Sequence, residues 1–159
     1  MTLDDGSRRA GAVYGTILVL SVIASVSEDA DAGAASVLGA VLLTSFAFWI
    51  AHVYAESLTA RIEHPRARWR ELARRAVIRE WPLLQAAFVP SVPLLLGVVG
   101  ALSRATAIDI AIALALADLF AWGVAVGRAL HQAPLRATLS GFVNVALGGV
   151  VVALKVVVH

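Results

Sequence analysis

The chain has 159 residues, 60% of them hydrophobic and only 15% charged, with a net charge of +2. Soluble domains average about 45–50% apolar and about 25% charged residues, so this composition and a mean hydropathy of +0.84 mark an integral membrane protein. No cysteine is present, which removes disulfides, thiolate metal sites and cysteine nucleophiles.

Five apolar runs predict an all-α, polytopic membrane protein of one domain, with spans at about 10–27, 34–60, 83–102, 105–128 and 137–157. A hydrocarbon core of roughly 30 Å takes about 20 residues of helix. The first run follows Arg8 and Arg9 in the manner of a signal peptide, but Glu28, Asp29 and Asp31 interrupt the small-residue stretch behind it. It therefore reads as a retained anchor.

Between the second and third runs, residues 66–80 place Trp69, Leu72, Ala73, Ala76 and Val77 at i, i+3, i+4, i+7 and i+8. Arginines occupy most of the other faces. That pattern predicts a cytoplasmic amphipathic helix in the headgroup plane, started by Pro65 and broken at Pro82. Arg66, Arg70, Arg74 and Arg75 then either bind anionic lipid headgroups or a partner, or simply set the orientation of a linker helix.

An isoelectric point near 9.7 would suit a nucleic-acid binder, yet the basic residues are segregated along the chain, and no nucleic-acid partner is expected. Eleven arginines fall on one side of the predicted membrane, against Arg104 and Lys155 on the other. The positive-inside rule places the N-terminus in the cytoplasm and the C-terminus outside, in a cell (inner or plasma) membrane.

Polar residues inside the spans are the candidate functional groups, because charge at a bilayer centre costs at least about 2.5–3.5 kcal/mol. On span two, Ser45, His52, Glu56 and Thr59 follow one another at spacings of 7, 4 and 3. At about 100° per residue they share one stripe with Trp49. A His and a carboxylate one turn apart can pass a proton or co-ligate a cation, or can form a structural hydrogen bond between helices.

Span three carries Pro90 and Pro93, which free backbone carbonyls. On span four, Asp109 and Asp118 lie nine residues apart and so face opposite ways. Asp118 shares a small face with Ala111, Ala115, Ala121 and Ala125 and is expected to point at protein or a water-filled path. Ile112, Leu116 and Leu119 are expected to meet lipid, and Asp109 is expected to pair with Lys155 of span five near the outer surface. Span five aligns Asn144 and Gly148 on one stripe with Lys155, and Gly123 and Gly127 in span four match a small-xxx-small packing signal. Asn144 falls at the depth of His52 and Glu56.

Several enzyme and channel signatures are missing. There is no phosphate-cradling glycine loop with a lysine, no usable Ser/His/Asp order and no Gly-Tyr-Gly filter, so neither enzyme activity nor a cofactor is expected.

The segments AVYGTILVLSVI (12–23), AHVYAESLTARI (51–62), PLLQAAFVPSVPLLLG (82–97) and ALADLFAWGVAVGRALHQAPLRATLSGFVNVALGGVV (115–151) together resemble the vacuolar iron transporter family. Those are five-span proteins with a cytoplasmic helical insert between spans two and three. The resemblance implies this architecture, a tendency to dimerise, and a translocation role for Glu56. Two departures speak against iron as cargo: Tyr14 to Ser25 lacks the family's acidic residue, and the insert is rich in arginine where the family's is rich in glutamate.

The expectation is an ion channel or small transporter for protons or cations, acting as a homo-oligomer, a dimer being favoured, with His52, Glu56, Asp118 and Asn144 on one path. That path would lie at a subunit interface or between spans two, four and five. The alternative is a non-transporting membrane subunit or scaffold whose arginine-rich helix docks anionic lipid or a cytoplasmic partner.

Overall fold

The computed structural model describes residues 3–29, 31–130 and 133–158, with side chains for all of these except 3–5, 7 and 154–158. Regular structure among them is entirely helical: α1 (Leu3–Ser27), α2 (Ala34–Glu63), α3 (Trp69–Gln85), α4 (Phe88–Val98), α5 (Arg104–Ala129) and α6 (Pro134–Val158). Helices α1, α2, α5 and α6 are long and apolar enough to cross a membrane, and α3 with α4 qualifies as one pair bent by 52°. Four to five elements of this all-helical chain therefore have membrane-crossing length and composition.

The third element differs from its sequence expectation. Residues 64–67 form a turn, closed by Ala67 N–H donating to His64 O at 3.0 Å, with Pro65 at its second position, where its fixed φ suits the turn. Arg66 therefore precedes the helix, which begins after Arg68 and continues through Pro82 to Gln85. The break falls at Ala86 and Ala87 instead. Pro90 has no N–H to offer the carbonyl of Ala86 four residues earlier, so the ladder lapses one turn before the ring. The amphipathic segment is thus continuous with the first half of the third apolar run. It lies against α1 and α2, with Leu72, Ala76 and Leu83 buried.

Helix α1 is the hub of the bundle, packing against α2, α3, α5 and α6. One cluster joins its Val19 and Ile23 to Val37 and Val41 of α2, Leu94 of α4, and Ile108 and Ala111 of α5. A second joins Leu20 to Ala115 and Leu119 of α5, with Val152 of α6 against it. Leu119, expected toward lipid, is fully buried, and Ile112 and Leu116 also pack on these clusters. Helix α5 is flanked by α1, α4 and α6, so its protein-facing arc is much wider than one small-residue stripe. Ala113, Ala117 and Ala121 form its exposed side.

In a bilayer, helices gain nothing from leaving water and associate through close van der Waals contact, which small residues permit. The α5–α6 pair is built this way. A Cβ on Gly123 would lie 2.6 Å from both Gly141 Cα and Ser140 O, and one on Gly127 would lie 2.6 Å from Ala137 Cα. Gly15 allows a similar approach between α1 and α3, since a Cβ there would sit 2.5 Å from Leu83 O.

The chain reverses at each connection, so the start of α1, the end of α2, the start of α3 and the α5–α6 turn share one end of the bundle. That end carries the eleven segregated arginines and is called the basic end below. At the opposite end, Arg104 holds the α1–α2 connection. Its Nε donates to Ala32 O at 2.6 Å, and its Nη2 donates to Ser27 O at 2.9 Å and Asp29 O at 2.8 Å. A cation on the last carbonyls of a helix both satisfies orphan acceptors and opposes the helix dipole.

Candidate functional site

Helix α2 turns one stripe toward the bundle: Val37, Val41 and Ser45 are buried, and Trp49, His52 and Glu56 continue it toward the basic end. Ser45 Oγ and Trp49 Nε1 are buried with no hydrogen-bond partner among the described residues, an uncommon condition for polar atoms in a folded interior. His52 Nδ1 lies 3.0 Å from Phe48 O. A carbonyl only accepts, so Nδ1 is the protonated nitrogen and Nε2 of the neutral ring is left as an acceptor. The imidazole lies 5.4 Å from the Tyr14 ring of α1.

One turn closer to the basic end, Glu56 Oε1 accepts from Arg79 Nη1 of α3 at 2.5 Å. Glu80, next in the chain, lies within electrostatic range of His52, Glu56 and Arg79. His52 and Glu56 are thus part of a cluster of four titratable side chains drawn from two helices. Glu56 and Arg79 also line a cleft of about 540 Å³ that opens at the basic end among Arg8, Glu63, His64 and Glu71.

Asp118 lies elsewhere. Thr16 Oγ1 donates to its Oδ2 at 2.7 Å and also sits 3.0 Å from Ala12 O. A hydroxyl has one proton for these two acceptors. It can serve an ionised Asp118 directly; alternatively, it can accept from a protonated Asp118 while donating to Ala12 O. Either protonation state leaves the group bonded. Tyr14 and Thr16 are two residues apart on α1, about 3 Å in rise and about 200° in direction. His52 and Asp118 therefore occupy similar depths on opposite sides of α1.

Asn144 faces a third seam. Its Nδ2 donates to Leu119 O at 3.4 Å, and it lines a groove with Tyr14 on the far side. The structure thus brings His52 and Glu56 together, and places Asp118 on the α1–α5 seam and Asn144 on the α5–α6 seam. Asp109 is exposed, and the side chain of Lys155, its expected partner, lies outside the described residues. Arg66, Arg70 and Arg74 are exposed without partners among the described residues, whereas Arg75 Nη2 donates to Glu71 Oε1 at 2.6 Å. No group of three or more His, Cys, Asp or Glu side chains able to hold a metal occurs among the described residues.

Sequence spacing did not single out Tyr14, Thr16, Arg79 or Glu80. The one signal for Thr16 was a hydroxyl within an otherwise apolar run, at a depth matching Asp118. Arg79 and Glu80 sat in a charge run that reads as a solvated face.

Comparison of the chain with protein-family models, with curated proteins and with solved structures finds no match.

Proposed function

We propose that the protein crosses a cell membrane five times, with the bent α3–α4 pair as its third span and its N-terminus in the cytoplasm, and moves protons or cations as a homodimer. The observation that carries this reading is the stripe on α2. It starts at Glu56 in the basic-end cleft, passes His52, and continues to the unpartnered polar atoms of Trp49 and Ser45 inside the bundle. Such a lane offers titratable groups at its entrance and polar atoms beyond, where hydrocarbon would otherwise make an ion's passage prohibitive. Asp118, behind α1 at the depth of His52, supplies a second intramembrane carboxylate. The resemblance to a five-span transporter family supports the architecture, while the arginine-rich insert favours a cargo other than iron.

Flux through purified protein in liposomes tests the reading. Wild-type protein should dissipate an imposed proton or cation gradient, and Glu56→Gln should strongly slow it with the folded oligomer retained. Empty-liposome rates for wild type would end the proposal.

A second reading is favoured by a separate observation, the exposed and unpartnered guanidinium groups of Arg66, Arg70 and Arg74. In it the protein is a non-transporting subunit that docks anionic lipid or a cytoplasmic partner through this surface. It predicts no flux, and binding to anionic vesicles that drops sharply when these three arginines become glutamine.

A further inference from the structure

Where α6 leaves α1, the bundle has an opening. The two helices are tight at Gly148, where a Cβ would lie 3.2 Å from Leu20 Cδ1 and 2.5 Å from Leu119 Cδ1. One turn closer to the basic end a groove of about 490 Å³ begins, lined by Val13 and Ile17 of α1, Gly123 and Val126 of α5, and Asn144 of α6. Its mouth holds Arg9.

Arg9 is half-buried and spends one donor on the bundle, Nη1 to Ala125 O at 3.2 Å. A guanidinium has five donors in a fixed fork suited to phosphate, and Arg9 has no other partner among the described residues. From Arg9 to Ile17 is eight residues, about 12 Å of helix rise, which lies within the depth of one leaflet of a roughly 30 Å core. The groove is therefore amphipathic along its length, with a cation at the mouth and branched aliphatic walls below. Asn144, whose one hydrogen bond among the described residues is long at 3.4 Å, adds an incompletely satisfied amide to the deep wall. A partly buried polar group facing hydrocarbon is costly, and an occupant that brings its own acceptors and water relieves that cost.

We propose that this groove binds one anionic phospholipid, its phosphate held by Arg9 and one acyl chain lying along Val13, Ile17 and Val126. The charge at the mouth selects an anionic headgroup, and the length of apolar wall selects a lipid over a free phosphate. The site is distinct from the α3 arginines and does not depend on ion transport.

Native mass spectrometry of the purified full-length protein with phosphatidylglycerol or phosphatidylcholine of identical chains reads both lipid count and oligomeric state. Wild type should retain one phosphatidylglycerol per chain in preference to phosphatidylcholine. Arg9→Gln should lower that retention about tenfold or more, as loss of a charge-assisted bond implies. Because Arg9→Gln also removes a bond to α5, Val13→Phe provides an independent arm: it fills the groove, keeps the charge, and should expel both lipids. Arg8→Gln, an equal charge change one residue away, should leave retention unchanged. Equal retention of the two lipids, wild-type retention in Arg9→Gln or Val13→Phe, or an equal loss in Arg8→Gln would each overturn the proposal. So would a dimer that Val13→Phe dissociates at unchanged lipid count, which would put a second copy of the chain in the groove.

Discussion

Thr16 donates to Asp118 across the α1–α5 seam at 2.7 Å, and that bond ties the hub helix to the helix carrying the deepest described carboxylate. Thr16→Val keeps the shape and removes the only hydrogen-bond partner of Asp118 among the described residues. Leaving a part-buried acceptor unsatisfied costs about 1–3 kcal/mol, and unfolding in detergent should register a loss of that order. Asp118→Asn can still accept from Thr16 and should be milder in stability, while slowing any flux that requires a titratable group. A Thr16→Val variant as stable as wild type would show that the bond contributes nothing to the fold.

Arg104 should be the most consequential arginine for stability. Arg104→Gln loses charge-assisted bonds to three carbonyls, though water at this end of the bundle can replace part of them, so the expected cost is about 1–3 kcal/mol. The same variant should raise thiol labelling of a cysteine placed at Ala32, which is 7% exposed in the intact connection. Unchanged labelling would mean the connection holds without the guanidinium.

The α5–α6 crossing predicts a contrast between two glycines. Gly123→Ala forces apart backbones that a Cβ would approach to 2.6 Å, whereas Gly149 has nothing within 4 Å of the same atom. Overpacking costs typically about 1–3 kcal/mol, so Gly123→Ala should lower the melting temperature and Gly149→Ala should leave it near wild type. Equal effects would remove close backbone contact as the reason for Gly123.

Orientation is checked by accessibility. With the basic end cytoplasmic, a cysteine replacing Arg68 should react with an impermeant reagent only after the membrane is opened, and one replacing Asp31 should react from outside. Both positions are exposed, so burial does not confound the readout. The reverse pattern would invert the topology.

The all-helical character, the presence of four to five apolar elements of membrane-crossing length and the α5–α6 glycine contact were legible because each rests on a local signal: apolar run length, or small residues four apart. Leu119 was misjudged because a stripe one residue wide describes a helix with one neighbour, and α5 has several. Pro82 was read as a break because proline usually ends a helix, whereas the actual interruption lies before Pro90, where the missing donor sits. Arg104 counted as one charge in a short loop, and nothing in its spacing tells of three carbonyls up to 77 residues away in sequence. His52 and Glu56 were found from a four-residue interval. Their partners Tyr14 and Arg79 belong to other helices, and only the fold could supply them.

The bend between α3 and α4 bears on how the chain gets into a bilayer at all. Helix α4 has 11 residues, about 16 Å of rise, roughly half the hydrocarbon thickness. Helix α3 supplies the remaining length but carries arginine up to Arg79, so neither half partitions favourably by itself. Helices α1 and α2 have full apolar length and need no help. On the proposed five-span reading, biosynthesis acquires an order: α1 and α2 settle first, and the broken element enters once Gly15 and Glu56 offer α3 a protein surface to lie against. A substitution at either position would then show its first effect during synthesis, as failed insertion, before the finished bundle had any stability to lose.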